Sequence, residues 1–158
     1  MANVIKLRKG LDINLAGKAV KEKVATPQSS VYGLSPLSFP GITPKLSVKE
    51  GDHVLAGEPL FVSKQCPELG FASPVSGTVK AVVRGARRKV LMVTIEADTT
   101  QQAHDYGKAN AAALDGEAVK GKLLEAGLFG YINQLPYGVV ASPQTQPDGI
   151  FVSALRAR

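Results

Sequence analysis

Short apolar runs broken by glycine and proline dominate the chain from residue 46 to residue 83. The turn-forming sequences Glu50-Gly51-Asp52 and Ala56-Gly57-Glu58-Pro59 separate β-forming residues, and glycine supplies backbone angles that a Cβ would penalise. The pattern predicts short strands joined by tight turns in a curved β-module, without any helix between residues 46 and 62. The residues expected to point inward are Val48, Val54, Leu60, Val75, Val79, Val82 and Val93.

Two further apolar runs, residues 79–83 and 90–95, flank the basic sequence Arg84-Gly85-Ala86-Arg87-Arg88-Lys89. This order predicts a hairpin with a charged tip. The second run is almost continuously apolar, which is typical of a strand covered on both faces.

The segments that surround the β-module show weaker patterns. Residues 11–15 alternate apolar and polar side chains, as a half-buried strand does. Residues 18–30 are polar and predict a linker, Val31–Leu34 begins the module, and residues 97–113 predict a loop that leaves it.

The last third of the chain predicts one helix and one strand. Asp115 is a suitable N-cap, and Gly127 is a suitable stop. An apolar face between them would carry Val119, Leu123, Leu124 and Ala126, with Lys120 and Lys122 facing away. Residues 149–152, Gly-Ile-Phe-Val, predict a buried strand.

Composition sets limits on the class of protein. The chain has 158 residues, with 44% hydrophobic and 20% charged residues, which suits a globular protein with a sizeable core. A single cysteine excludes an internal disulfide, and no run approaches the ~20 apolar residues that span a bilayer. We therefore expect a reducing, cytoplasmic setting.

The net charge of +6 raises nucleic acid or an anionic membrane as possible partners. Lysines are scattered along the first fifty residues, and the only dense basic cluster is the sequence from Arg84 to Lys89. Two interpretations of this cluster stay open: a solvated hairpin tip, or a docking surface for an acidic or membrane partner.

The sequence contains no pattern of a self-sufficient active site. No Gly-x-Gly-x-x-Gly turn is present for a dinucleotide, and Cys66 is alone where an iron-sulfur cluster needs several cysteines. His53 and His104 are interpreted as surface residues, and Cys66 as a loop thiol without a role. We therefore predict no catalytic and no metal-binding residues, and the cofactor-binding residues stay unknown.

One resemblance concerns the β-module. The order Val-x-x-Gly-Asp-x-Val-x-x-Gly-x-x-Leu, followed by Ser-Pro-Val-x-Gly-x-Val, resembles the biotinyl and lipoyl carrier domains, which share a barrel-sandwich hybrid fold. Carriers present a modified lysine in a Met-Lys-Met or Asp-Lys-Ala context. Here the only available residue is Lys64, in Ser-Lys-Gln-Cys, so we interpret it as an ordinary loop lysine.

A second resemblance is longer and ungapped. Residues 5–17, Ile-Lys-Leu-Arg-Lys-Gly-Leu-Asp-Ile-Asn-Leu-Ala-Gly, are similar to the amino terminus of the A subunit of the bacterial sodium-translocating NADH:quinone oxidoreductase. The resemblance also includes the Pro40-Gly41 lead, the Gly51-Asp52 turn and the segment from Ser73 to Gly77. The chain departs from the family at residues 133–135, Asn-Gln-Leu, where basic residues commonly precede the proline.

The resemblance implies a mainly β fold with minor α/β content. A barrel-sandwich hybrid would be followed by the start of an α/β domain similar to the complex I flavoprotein subunit. The expected divisions are an amino-terminal strand and linker at 1–30, the hybrid at 31–98, and the beginning of an α/β domain at 99–158. Family members are much longer, so we expect this last domain to be truncated.

The resemblance also implies a function within a complex. The whole complex oxidises NADH, reduces quinone (ubiquinone) and exports sodium, and it uses NAD, flavins, iron-sulfur centres and quinone, none of them bound by this chain. The expected partners are the other subunits, especially a membrane subunit, and quinone; nucleic acid is not expected. The expected location is peripheral, at the cytoplasmic face of the bacterial inner membrane.

Two alternatives stay open at this point. One is a biotinyl or lipoyl carrier domain modified at Lys64. The other is an RNA-binding, translation-type barrel, because Val48-Lys-Glu-Gly-Asp-His-Val54 is similar to the glycine-aspartate turn of some ribosomal proteins.

Overall fold

Two antiparallel sheets form the centre of the molecule. The computed structural model describes residues 16, 17, 20 and 22–152, so the strand predicted at residues 11–15 lies outside the described residues. One sheet has the strand order β1-β7-β6-β3, and the other has the order β2-β4-β5. The strands are β1 Val31–Leu34, β2 Pro44–Leu46, β3 His53–Val54, β4 Pro59–Ser63, β5 Gly70–Ala72, β6 Gly77–Arg84 and β7 Val90–Ala97.

The segment after the sandwich carries the helix α1, Gly116–Glu125, and a small hairpin of β8, Asn133–Gln134, with β9, Val139–Val140. Short 3-10 turns occur at Pro36–Ser38, Ala86–Arg88, Ala111–Ala113 and Phe129–Tyr131. Helix α1 is the longest helix among the described residues, and no helix in this part of the chain is long and apolar enough to cross a membrane.

The core lies between the two sheets and is centred on three phenylalanines. Phe61 and Phe71 are fully buried and stack with ring centroids 5.0 Å apart, while the Phe39 ring lies 4.4 Å from Phe71. Such ring pairs stabilise a core beyond the effect of area burial alone. Of the residues predicted to point inward, Val48 and Val82 are only partly buried, and the rest are buried: Val54, Leu60, Val75, Val79 and Val93.

The predicted turns and breaks are confirmed. Gly51 and Gly57 have φ values of +90° and +100°, which residues with a Cβ rarely adopt. Pro59 is the first residue of β4, where a missing N–H is tolerated. No helix lies between residues 46 and 62, and the basic sequence forms the tip between β6 and β7.

Helix α1 begins and ends where the sequence predicts. The Asp115 carboxylate accepts a hydrogen bond from the Ala118 N–H at 2.8 Å, and Gly127 follows the helix with a φ of +66°. Leu123 and Leu124 pack against the core. The prediction that Val119 shares their buried face is wrong, because only the last turn of the helix reaches the sandwich and Val119 is exposed.

Two strand predictions are corrected by the structure. Ile150, Phe151 and Val152 form no strand and are 80–87% exposed, since no strand among the described residues pairs with them. Strand β7 is covered on one face only: Val93 and Ile95 are buried, whereas Met92 is exposed. Apolar composition alone does not distinguish a one-sided strand from a two-sided strand.

Gly77, at the start of β6, gives a direct test of the packing between β6 and β7. A Cβ at this position would meet the Glu96 carbonyl oxygen, a backbone atom that cannot move away without breaking the ladder. We expect Gly77→Ala to lower the free energy of unfolding by about 3 kcal/mol or more, at the upper end of overpacking effects. Urea denaturation measures the change.

Gly121→Ala is the matched control, because Gly121 lies within helix α1 and a Cβ there meets no atom within 4 Å. We expect it to raise the free energy of unfolding by about 1 kcal/mol. Equal stability of the Gly77→Ala and wild-type proteins would contradict the close approach of β6 to β7.

Candidate functional site

A polar groove of about 510 Å³ lies at one end of the sandwich. Its walls come from the β2–β3 turn region, from the start of β4 and from the segment that leaves the sandwich after β7. The groove brings together His53 and His104, which the sequence places in separate surface loops. The lining residues are Ser47, Val48, Asp52, His53, Val54, Glu58, Pro59, His104 and Tyr106.

The segment of residues 98–106, here called the strap, forms one wall of this groove and is tied to the sandwich by Ser76. The Ser76 N–H donates to the Gln101 side-chain oxygen at 2.8 Å, and the Gln101 amide donates back to the Ser76 carbonyl at 3.2 Å. The Ser76 hydroxyl accepts a hydrogen bond from the Gln102 N–H at 2.9 Å. Because Ser76 is fully buried, these bonds fix the strap firmly.

A second row of backbone hydrogen bonds holds the strap against the turn that precedes β4. The Ala56 N–H donates to the Gln102 carbonyl at 3.0 Å, and the His104 N–H donates to the Ala56 carbonyl at 2.8 Å. This pairing amounts to one parallel bridge between Ala56 and Ala103. The strap is therefore an added, very short strand position rather than a free loop.

The two histidines each face a carboxylate. His53 Nε2 lies 2.9 Å from Asp98 Oδ2, and His104 Nδ1 lies 3.8 Å from Glu58 Oε1. All four side chains are at least about one third exposed, so each pair stabilises the fold by no more than about 1 kcal/mol. Both pairs join the strap to the sandwich.

The carboxylates of the groove support turns rather than a reaction. Glu58 Oε2 accepts a hydrogen bond from the Leu55 N–H at 2.9 Å, and Asp52 Oδ2 accepts one from the Lys49 N–H at 2.7 Å. Among the described residues, no group of three His, Cys, Asp or Glu side chains is placed to hold a metal ion. The arrangement thus has a structural role that the sequence alone does not indicate.

Tyr106 closes the groove on the side of helix α1. Its hydroxyl donates to the Gly57 carbonyl at 2.9 Å, and its ring lies 4.5 Å from the His104 ring. Burial, and then the nearby carboxylates of Glu125 and Glu58, raise the pKa of Tyr106. The neutral phenol is therefore the form that the fold favours.

Lys64 and Cys66 lie in the six-residue connection between β4 and β5. The Lys64 N–H donates to the Thr43 carbonyl at 2.8 Å, so this backbone extends the pairing of β4 beyond its last residue. The Lys64 side chain is exposed at the beginning of the connection. Its interpretation as an ordinary loop lysine remains a prediction.

The Cys66 thiol donates a hydrogen bond to Glu68 Oε1 at 3.4 Å. Burial, and then this hydrogen bond and the charge of Glu68, raise the pKa of Cys66. A raised thiol pKa lowers the fraction of reactive thiolate at neutral pH. These surroundings agree with a loop thiol that carries no chemistry.

Sequence reasoning misses the residues that organise this end of the molecule. In the sequence Ser76 stands out only as part of a motif, and Gln101 and Tyr106 belong to a polar loop. Their partners lie 25, 26 and 49 positions away along the chain. Pairings of this length leave no periodic pattern in one sequence.

Comparison with known proteins gives matches along nearly the whole chain. A family model described as the NqrA N-terminal barrel-sandwich hybrid domain matches residues 5–98, and a model described as the NqrA second alpha/beta domain matches residues 114–158. The expected fold class is thereby confirmed. The finer domain boundaries at residues 30 and 98 remain predictions.

Curated relatives share one name, the A subunit of the Na(+)-translocating NADH-quinone reductase. The chain is 32% identical over 154 residues to the relative from Cellvibrio japonicus, and the match covers 96% of this chain and 34% of the relative. The relatives from Photorhabdus laumondii and Neisseria meningitidis are 33% and 30% identical, with the same coverage. The chain thus spans about a third of the length of the curated relatives it matches.

The raised pKa of Tyr106 predicts a specific pH dependence. A raised pKa in the folded state adds stability below about pH 10, and this stability is lost as the pH rises through the folded-state pKa. We expect Tyr106→Phe to cost about 1 kcal/mol at pH 8, through the lost hydrogen bond to Gly57. The difference from wild type should narrow above about pH 10.

Urea denaturation between about pH 8 and about pH 11, which brackets the ordinary tyrosine pKa, measures this difference. Tyr137→Phe, at an exposed position, is the control for loss of one phenol. A stability difference between Tyr106→Phe and wild type that stays constant across this range would contradict the assignment.

Proposed function

Because this chain belongs to the family of the A subunit of the Na(+)-translocating NADH-quinone reductase, we propose that it acts as the amino-terminal part of such a subunit. The whole complex would couple NADH oxidation and quinone reduction to sodium export. The observation that carries the proposal is the pair of family matches, to the N-terminal domain and then to the second domain, which follow one another along the chain.

The role proposed for this part is assembly rather than electron transfer. The polar groove uses its carboxylates to support turns, and the strap fastens the sandwich to the segment that follows. Such a rigid unit can position other parts of a complex without reacting itself. Other subunits of the reductase are the proposed partners, in particular one that spans the membrane.

The residues present do not fit the redox groups that the complex would need. An iron-sulfur cluster requires several thiolates, whereas Cys66 is the only cysteine in the sequence. A dinucleotide phosphate prefers the N-terminus of a helix, but the Asp115 carboxylate caps α1 and Glu117 adds a second negative charge there. We propose that NAD, flavins and iron-sulfur centres are bound elsewhere in the complex.

The proposed location is the cytoplasmic face of the bacterial inner membrane, as a peripheral part of the complex. The support is indirect: the relatives are named as sodium-translocating, and translocation of an ion requires a membrane barrier. A contribution to quinone contact is also part of the proposal for the subunit as a whole, and it is assigned to no residue of this chain.

The carrier and RNA-binding alternatives have no comparable support. Lys64 lies at the start of a six-residue connection rather than in a tight turn, and the relatives are named for a different activity. The proposal of a reductase subunit therefore replaces both alternatives.

Affinity purification from the native host tests the proposal. We expect the tagged chain, expressed at native level, to retain sodium-stimulated NADH:quinone reductase activity from detergent-solubilised membranes. Gly121→Ala should retain the same activity, because it changes only an exposed helix position, and Gly77→Ala should retain much less, because it disturbs the sandwich. Recovery of a folded tagged chain without any reductase activity or membrane subunit would contradict the proposal.

A further inference from the structure

The tip of the β6–β7 hairpin concentrates positive charge. The side chains of Arg84, Arg87, Arg88 and Lys89 are all exposed. None of them takes part in an ion pair with the described residues, whose pairs lie elsewhere. The Glu50 carboxylate reaches the same hairpin further back, where its Oε1 accepts a hydrogen bond from the Val82 N–H at 2.8 Å.

The backbone of the tip is held in an unusual conformation. Arg87 and Arg88 have φ values of 54° and 58°, in the left-handed region that side chains with a Cβ disfavour. The Gly85 N–H donates to the Lys89 carbonyl at 2.8 Å and closes the tip. The Arg84 guanidinium donates to the Arg88 carbonyl at 3.3 Å. The cations are therefore carried on a closed turn rather than on a loose loop.

An exposed apolar pair lies directly behind the cations. Val83 and Met92 face each other across the ladder and are 43% and 39% exposed. They lie on the outer face of the sheet, because the neighbouring pair of Val82 and Val93 faces the core. The hairpin thus combines a cationic end with an apolar patch.

We propose that the tip of the β6–β7 hairpin docks on anionic phospholipid headgroups of a bilayer, with Val83 and Met92 at the boundary between headgroups and acyl chains. Basic residues next to an anionic membrane add their attraction, and apolar residues beside them deepen the contact. An acidic protein would offer carboxylates in a fixed geometry, and the tip has no concave surface to match them. Anionic lipid therefore fits the tip better.

This inference rests on the peripheral location proposed above, and it can be tested without the rest of the complex. The 158-residue chain is sedimented with vesicles of phosphatidylcholine alone or of equimolar phosphatidylcholine and phosphatidylglycerol. We expect binding to the phosphatidylglycerol vesicles only, and weaker binding as salt rises, since ions screen the attraction.

Two triple variants separate local charge from net charge. Arg84→Glu, Arg87→Glu and Arg88→Glu together should lower the partition coefficient roughly a hundredfold, at about fivefold for each basic residue removed. Lys45→Glu, Lys64→Glu and Lys108→Glu change the net charge equally at exposed positions away from the tip. The second variant should lose much less binding. Circular dichroism checks that both variants are folded.

A third variant, Met92→Ser, probes the apolar contribution and should weaken vesicle binding severalfold without changing its salt dependence. The proposal is overturned if phosphatidylglycerol vesicles do not bind the wild type at low salt, or if both triple variants lose binding equally. It is also overturned if the tip variant binds vesicles normally but no longer retains the reductase, because the partner is then a protein. Failure of vesicle binding with intact retention of the reductase leaves the proposed function standing.

Discussion

The ring of Phe71 is shared by both parts of the described chain, and the rest of the structure depends on its packing. On one side it stacks on Phe61 and contacts Phe39 in the core of the sandwich. On the other side Gly130 approaches so closely that a Cβ would lie 2.5 Å from the ring. Buried Phe129 completes this contact. One side chain therefore joins the sandwich to the segment after it.

The strap reinforces this joint from a second direction. It leaves β7, is fixed by buried Ser76, and ends at Tyr106, whose carbonyl accepts a hydrogen bond from the Lys122 ammonium of α1 at 3.0 Å. Two independent sets of contacts thus oppose any hinge between the sandwich and the helix. In a protein that serves assembly, this rigidity would fix the direction in which the second domain leaves the first.

The sequence predicts the parts of the fold that depend on local constraints. Gly51, Gly57 and Pro59 mark turns through their own backbone preferences, and Asp115 caps α1 through a contact three residues away. Family membership is also predictable, although most of the amino-terminal motif that indicates it lies outside the described residues.

The features that cannot be predicted depend on distant partners. Ser76 gains its role in the groove from Gln101 and Gln102, which lie far along the chain. The apolar run at Ile150 forms no strand, because none of the described strands lies beside it to pair with it.

The central claim is that the sandwich and α1 form one cooperative unit, and native-state amide hydrogen exchange tests it most directly. A helix of ten residues is marginal alone in water, so strong protection in α1 must come from docking. The account predicts that amides in the last turn of α1 and in β5 open with the same free energy and the same dependence on denaturant. Exchange of the α1 amides at a much lower opening free energy, while β5 stays fully protected, would contradict it.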